Sequence, residues 1–263
     1  MALVFFRAAS CIFSMTRTTT PRKARPYELY YWPGIPGRGE FVRLALEEAG
    51  APYLEMARLP ASRGGGVPAM MKAMHGAGPL EPFAPPFLKA GKLWIAQTAN
   101  ILLFLGPRLG LLPRGEASAF KANQIQLTLS DLVAEAHDTH HPVASGLYYE
   151  DQKPEAKKSA ASFAKERIPK FLSWTERVLE ASGGRGFVGR SVSYVDLSAF
   201  HVLAGLDYAF PKAMRRVQKS IPLLRALAAR MAERPRIAAY LQSDRRVPFN
   251  EDGIFRHYPE LDV

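Results

Sequence analysis

The chain has 263 residues, of which 48% are hydrophobic and 22% are charged. This length and composition favour one large or two smaller packed domains over a disordered chain. No apolar run approaches the roughly 18–20 residues that span a bilayer, so the sequence predicts no membrane partner. Cys11 is the only cysteine, which excludes an internal disulfide, a cysteine metal cluster and a CxxC redox pair.

The net charge is +11 at neutral pH. Five of the 35 basic residues precede the first acidic residue, Glu28. Without those five, 30 basic and 24 acidic residues remain, a net charge of +6. The remaining surplus is mild and helps to attract anionic substrates. Neither a nucleic-acid-binding motif nor interleaved aromatic and basic residues accompany it, so the sequence predicts no nucleic-acid partner.

Residues 1–25 differ in composition from the rest of the chain. They are rich in Ser, Thr and Arg and contain no acidic residue. This composition is more typical of an organelle transit peptide than of a secretory signal, whose apolar stretch is longer. A disordered extension, or a start at Met15, is the alternative. We therefore expect a cytoplasmic protein, or a mitochondrial or plastid protein if the segment is a transit peptide.

The segment 26–106 alternates between strand and helix patterns, which predicts a small α/β unit. A Pro- and Gly-rich turn follows the first strand, and Gly50 ends the first helix. The predicted elements, in chain order, are a strand at Tyr27–Trp32, a helix at Gly39–Ala49, a strand at Pro52–Leu59, a short helix at Ala69–His75, a turn at Ala84–Lys89, a strand at Leu93–Ile95 and a helix from Gln97 to about Leu105.

From Glu116 onward the apolar residues recur at helical spacing. Ser193 and Asp196 form a variant capping box, in which each side chain satisfies a backbone N–H at a helix start. The chain therefore divides into an α/β domain at 26–106, a linker at 107–115 and an all-helical domain at 116–263. The predicted helices of the second domain run from Glu116 to Pro142, from Pro154 to Ala181, onward from Ser193, at Pro222–Glu233 and at Pro235–Gln242.

Four features in this order resemble the cytosolic glutathione transferases of the tyrosine type, the pi, mu and sigma classes. They are PYELYYWP followed by a GRG turn, PPFLKAGKLWIAQT, the change from α/β to all-α, and an SxxD that opens a core helix. The resemblance covers the chain from about Pro26 to its end. It implies a thioredoxin-like domain that binds glutathione, followed by helices that line a pocket for a small hydrophobic electrophile. It also implies a homodimer and no cofactor beyond glutathione as co-substrate.

The resemblance places the catalytic phenol at Tyr31, which in the family donates a hydrogen bond to the glutathione sulfur. An ordinary thiol has a pKa near ~8.5 and reacts as the thiolate. A neutral phenol that hydrogen-bonds the charged sulfur lowers the pKa of the bound thiol. The side chain of Tyr30 is on the opposite face of the strand and fits a role in the core. A one-residue error in the match to the family would exchange the roles of Tyr31 and Tyr30. Arg38 is implied to support Tyr31 and the sulfur, unless it is an exposed arginine at a helix start.

Pro86 matches the cis-proline of the family, and Pro85 precedes it. The residue before the cis-proline normally uses both its N–H and its C=O to bind the cysteinyl part of glutathione. Proline has no N–H, so here the sequence departs from the pattern. We expect one ligand hydrogen bond to be missing, at a cost of about 1 kcal/mol in affinity.

Gln97 and Thr98 match the pair that binds the γ-glutamyl end of glutathione. A helix start favours a carboxylate, and a hydroxyl adds a donor; Thr98 also suits a simple N-cap, and both roles are compatible. Lys72 is the candidate for the glycyl carboxylate, although segment 60–84 departs from the classes named above. Asp131 is the candidate for the α-amino group, with a surface acid as the alternative.

His137, Asp138, His140 and His141 crowd the end of one predicted helix. Their spacing allows a metal ion, but histidines at a helix C-terminus also interact favourably with the helix dipole. We predict a lining for the second substrate and no metal. The sequence thus predicts a glutathione S-transferase. The alternatives are a glutathione-dependent isomerase or peroxidase on the same fold, or a non-catalytic member that binds ligands.

Overall fold

The computed structural model describes residues 25–78 and 80–263. Apart from Arg25, the extension predicted at 1–25 lies outside the described residues. The transit peptide and the disordered extension, the two interpretations of it, therefore both stay predictions. Among the described residues, no helix combines the length and the apolar character needed to cross a membrane.

Four strands form one mixed sheet in the order β2-β1-β3-β4. The strands are β1 Tyr27–Tyr30, β2 Tyr53–Glu55, β3 Phe87–Ala90 and β4 Leu93–Ala96. β1 pairs in parallel with β2, where Leu29 is opposite Glu55, and antiparallel with β3, where Leu29 is opposite Leu88. β1 is therefore an interior strand, and the residue that follows it emerges from the middle of the sheet.

Three helices accompany the sheet. They are α1 Gly39–Ala49, α2 Val67–His75 and α3 Thr98–Arg108. α1 is the crossover that a parallel β1–β2 pair requires. Val42 and Leu46 of α1 and Ile101 of α3 are fully buried against Leu29 and Leu88 of the sheet. This packing fixes the start of α1 beside the start of α3.

The regular secondary structure in the rest of the described chain is helical. The helices are α4 Glu116–Asp138, α5 Lys153–Ser162, α6 Ile168–Ala181, α7 Tyr194–Ala209, α8 Pro211–Val217, α9 Pro222–Ala232 and α10 Pro235–Leu241. The predicted capping box begins α7, where Asp196 accepts bonds from the backbone N–H of Ser193 at 2.7 Å and of Phe187 at 2.9 Å. The predicted fold class is thus confirmed, while the domain boundaries stay predictions.

Parts of the α/β half differ from the prediction. The strand predicted over Tyr27–Trp32 ends at Tyr30. The strand predicted over Pro52–Leu59 is confined to β2, because Met56–Arg58 turn into a 3₁₀ helix. The turn predicted over Ala84–Lys89 is wrong in its second half. Phe87 and Leu88 belong to β3, where both are fully buried, so their packing outweighs the turn signal of the two prolines before them.

The single helix predicted from Pro154 to Ala181 also differs. A π-helical segment, Phe163–Arg167, separates α5 from α6. Pro169 follows two residues later, has no N–H to donate to the preceding turn, and would crowd the carbonyl four residues back. A wider turn before a proline relieves this crowding.

Candidate active site

Tyr31 is the first residue after β1, and only 3% of it is exposed. Its hydroxyl oxygen accepts the backbone N–H of Arg38 at 2.8 Å. Gly37 and Gly39 flank the ring closely. A Cβ atom would lie 2.1 Å from the Tyr31 oxygen if placed on Gly37, and 2.4 Å from a ring carbon if placed on Gly39. The glycines of the GRG turn are therefore required for the turn to close over the phenol.

The Tyr31 hydroxyl is a neutral donor at physiological pH. Burial raises the pKa of Tyr31 above its ordinary value, and the Arg38 N–H bond and the charges of Arg38 and Arg43 only partly oppose this effect. Within the described ranges the hydroxyl accepts a backbone bond but donates to no protein acceptor. Its hydrogen is therefore available to a ligand.

Tyr30 has a different environment. Its hydroxyl donates to the Glu28 carboxylate at 2.7 Å, and its ring stacks on Phe87 with the ring centroids 4.5 Å apart. Met70 and Met74 belong to the same buried cluster. The Tyr30 hydroxyl is thus already used by the protein, which agrees with the core role expected for Tyr30.

A cavity of about 370 Å³ lies beside the start of α3. This volume is within the range of small-molecule sites, roughly 300–1,000 Å³. It brings together three of the predicted site residues, Arg38, Gln97 and Thr98. Residues of α4 form the opposite wall, among them Gln126 and Val133. The sequence placed Asp131 of this helix at the site but predicted none of the α4 residues that line the cavity.

The start of α3 is suited to an anion. Thr98 is buried, and its hydroxyl donates to the Arg38 carbonyl at 3.4 Å. No side chain caps the first amides of α3, so their N–H groups are left without a capping partner at the end of α3 that lines the cavity. Gln97 precedes them with φ 69° and ψ 122°. It is the one non-glycine residue with a positive φ in the described ranges.

The backbone strain at Gln97 is testable. A non-glycine residue in such a region costs about 1–3 kcal/mol, and glycine avoids most of this cost. We expect Gln97→Gly to raise the free energy of unfolding by about 1 kcal/mol relative to Gln97→Ala, as measured by urea titration. Both variants lack the amide side chain, so the comparison isolates the backbone. Equal stability of the two variants would show that Gln97 is not strained.

The other predicted site residues are more scattered. The Pro85–Pro86 bond is cis, as predicted, and Pro86 is buried immediately before β3. Lys72 is exposed on α2 and Asp131 is exposed on α4. Neither lines the cavity, although Ser130, next to Asp131, does. The ligand contacts expected of these residues stay predictions.

The histidines at the end of α4 do cluster. The rings of His137, His140 and His141 lie 4.8–5.1 Å apart, centroid to centroid. His140 is buried and its Nε2 donates to the Ile254 carbonyl at 2.9 Å. Burial lowers the pKa of His140 to about 3, which keeps the ring neutral. In the part of the chain that the structure describes, no set of three or more His, Cys, Asp or Glu side chains is arranged to hold a metal ion.

Arg43 is a site residue that sequence reasoning missed. Its side chain is fully buried, and its guanidinium carbon lies 5.6 Å from the centroid of the Tyr31 ring. It donates to the Pro36 carbonyl at 3.1 Å and to the carboxylates of Glu40 at 3.2 Å and Glu55 at 3.3 Å. The sequence contained one signal for this network. Glu40 and Arg43 are three residues apart at the start of an amphipathic helix, where such a pair shares a face.

Comparison with known proteins adds independent information. Residues 137–244 match the family model described as glutathione S-transferase, C-terminal domain. The chain is 29% identical over 238 residues to the Bos taurus protein named glutathione S-transferase P, which covers 87% of this chain and 98% of that protein. It is 25% identical over 156 residues to the glutathione S-transferase of Plasmodium yoelii yoelii. That match covers 59% of this chain and 66% of the relative.

Two solved structures are similar to this one. The pi-class glutathione S-transferase of Onchocerca volvulus gives a TM-score of 0.64 at 21% identity, over 83% of this chain and 93% of that one. The glutathione S-transferase of Ascaris lumbricoides gives a TM-score of 0.58 at 24% identity, over 82% of this chain and 96% of that one. At these identities the two structures establish a shared fold.

Proposed function

This chain belongs to the cytosolic glutathione S-transferase family of enzymes, and we propose that it adds the thiolate of glutathione to small hydrophobic electrophiles. The observation that carries the proposal is the state of Tyr31. Its hydroxyl is buried, accepts the Arg38 N–H, and retains a hydrogen for a ligand. A donor held in this way is suited to an anionic sulfur.

The proposed mechanism is stabilisation of the nucleophile. Tyr31 donates to the glutathione sulfur and lowers the pKa of the thiol, so that more thiolate is present at neutral pH. The positive charge of Arg38, which lines the cavity at the start of α3, favours the anion further. Binding the electrophile next to the thiolate then converts a bimolecular encounter into a positioned attack. We propose no resident cofactor beyond glutathione.

We propose that glutathione occupies the cavity with its γ-glutamyl carboxylate at the start of α3, beside Gln97 and Thr98. The cysteinyl N–H then bonds the Pro85 carbonyl ahead of Pro86. Because Pro85 has no N–H, this pairing lacks its second bond, and glutathione binds about fivefold more weakly than with a residue that can donate. Lys72 and Asp131 remain the proposed partners of the glycyl carboxylate and the α-amino group.

We also propose a homodimer that works in the cytoplasm. Family membership supports both statements. Leu80 and Phe83 add a physical reason for the dimer, since they are 88% and 92% exposed. Large apolar side chains that stand this free of the protein are suited to burial in an interface.

The test is an assay of the purified protein with glutathione and 1-chloro-2,4-dinitrobenzene. A transferase consumes glutathione in proportion to the conjugate formed. An isomerase regenerates glutathione, and a peroxidase produces glutathione disulfide. The missing Pro85 donor favours one further candidate, a member that binds glutathione without turnover. Binding by calorimetry with no conjugation across several classes of electrophile would overturn the proposal in favour of that candidate.

A further inference from the structure

A segment from the C-terminal end of the chain is packed on the turn beside Tyr31. We call residues 243–257, which follow α10, the strap, and residues 32–38 the catalytic turn. The side-chain amide of Asn250 donates to the Gly34 carbonyl at 2.8 Å. Among the described residues, Asn250 is the one residue whose side chain donates a hydrogen bond to residues 33–35. The strap therefore supplies the side-chain contact that holds this part of the catalytic turn.

The Asn250 amide is itself held in place. Its oxygen accepts the backbone N–H of Asp252 at 3.1 Å, an Asx turn that fixes which way the amide faces. The preceding residue, Phe249, stacks on the buried His201 with the rings 9° from parallel. The Arg246 guanidinium lies 5.3 Å from the Phe249 ring and 3.1 Å from Glu40. The donor thus projects from a segment that is anchored on both α7 and α1.

Side chains from other parts of the protein anchor the carbonyls of the catalytic turn. Thr98 of α3 donates to the Arg38 carbonyl at 3.4 Å. Arg43 holds the Pro36 carbonyl from within α1, and Asn250 holds the Gly34 carbonyl from the strap. Arg38 lies in the chain between Pro36 and the start of α1, and its backbone N–H donates to the Tyr31 hydroxyl. A turn that moves by even a fraction of an ångström changes the length of that bond, and catalytic hydrogen bonds are sensitive to such shifts.

We propose that Asn250 is a positioning residue, which holds the catalytic turn so that the Arg38 N–H stays aligned with the Tyr31 hydroxyl. This inference rests on the proposed function of Tyr31. The Arg38 bond fixes the phenol oxygen and so directs the remaining hydrogen at the bound sulfur. Loosening the turn should weaken the stabilisation of the thiolate while leaving glutathione bound, because Pro85, Gln97 and Thr98, which are proposed to bind its backbone, lie outside the turn.

The test compares Asn250→Ala and Asn250→Asp with Ser243→Ala. Asn250→Asp keeps the size and the acceptor for the Asp252 N–H but has no donor for Gly34. Ser243→Ala removes a strap hydrogen bond that reaches only the Tyr240 carbonyl. The pKa of bound glutathione is read from the thiolate absorbance of the binary complex, and kcat and KM are measured as a function of pH.

We expect both Asn250 variants to raise the pKa of the bound thiol and to lower kcat about threefold to tenfold at about pH 6.5, the effect of one lost hydrogen bond. At high pH, where the thiol is ionised in any case, kcat should return to the wild-type value. KM for glutathione should stay near that of the wild type, and the urea midpoint should fall only by the small amount expected for the loss of a partly exposed hydrogen bond. Ser243→Ala should match the wild type throughout.

An unchanged pH profile in both Asn250 variants would overturn the inference. If Tyr31→Phe shifts the profile in the same experiment, the proposed function of Tyr31 stands and only the role of Asn250 fails. If Tyr31→Phe also leaves the profile unchanged, both proposals fail. A shift of equal size in Ser243→Ala would show that any disturbance of the strap has this effect, and would likewise overturn the specific role of Asn250.

Discussion

Phenylalanine at position 31 is expected to raise the pKa of bound glutathione by about 1–2 units and to lower the conjugation rate at about pH 6.5 by roughly 10- to 100-fold. The variant removes one hydrogen bond to a charged sulfur, which contributes about 1.5–3 kcal/mol. One pKa unit corresponds to about 1.4 kcal/mol, so the same loss appears as the shift in ionisation. The shift is upward because the lost donor stabilised only the thiolate.

The matched control for this prediction is the neighbouring residue. Tyr30→Phe removes the bond to Glu28 at 2.7 Å but keeps the ring that stacks on Phe87. It should leave the pKa of the bound thiol unchanged and cost about 1 kcal/mol of stability. Thiolate absorbance in the binary complex and the pH profile of kcat measure both variants. A shift in Tyr30→Phe with none in Tyr31→Phe would move the catalytic role to Tyr30.

Local structure around the site was predictable because its signals are local. The start of α1 at Gly39 follows from prolines and glycines before an amphipathic run, and its end at Ala49 follows from Gly50 in the left-handed conformation. The capping box at Ser193 was predictable for the same reason. Such patterns are contained within a few residues, so they can be recognised before the tertiary structure is known.

Contacts across the fold were not predictable in this way. Asn250 and Gly34 are 216 positions apart, and nothing in the residues around Asn250 distinguishes it from a polar surface side chain. The wall that α4 contributes to the cavity is likewise formed by residues that are distant in sequence from the start of α3. Gln126 is buried and Val133 lies two turns further along α4. The sequence of α4 nevertheless has the pattern of an ordinary amphipathic helix. Which helix faces the start of α3 depends on how the two halves pack, and one sequence does not contain that information.

Loss of Arg43 is expected to destabilise the protein by about 3–5 kcal/mol. Arg43 has no exposed side-chain area and pairs with Glu40, which is also fully buried, and with Glu55. Arg43→Met fills a similar volume but leaves a buried carboxylate with one fewer partner, and breaking a buried pair from one side costs this much. Burial raises the pKa of Glu40, an effect that Arg246 and Arg43 oppose. Without Arg43 that pKa rises further, so Glu40 takes up a proton more readily in the folded state and the loss should be smaller at about pH 5 than at about pH 8.

Arg167→Met is the control, because Arg167 also forms an ion pair with a glutamate, Glu135, through two hydrogen bonds. Unlike the Arg43 pairs, this ion pair is partly exposed to solvent. That pair is 35% and 34% exposed, and pairs of this kind contribute about 0–1 kcal/mol. Urea unfolding at both pH values measures the two variants side by side. Adding Glu40→Gln to Arg43→Met removes the buried charge and should recover part of the lost stability. Equal losses for Arg43→Met and Arg167→Met would mean that the network behind Tyr31 is as well hydrated as a surface pair, and that Arg43 does not anchor the catalytic turn from α1.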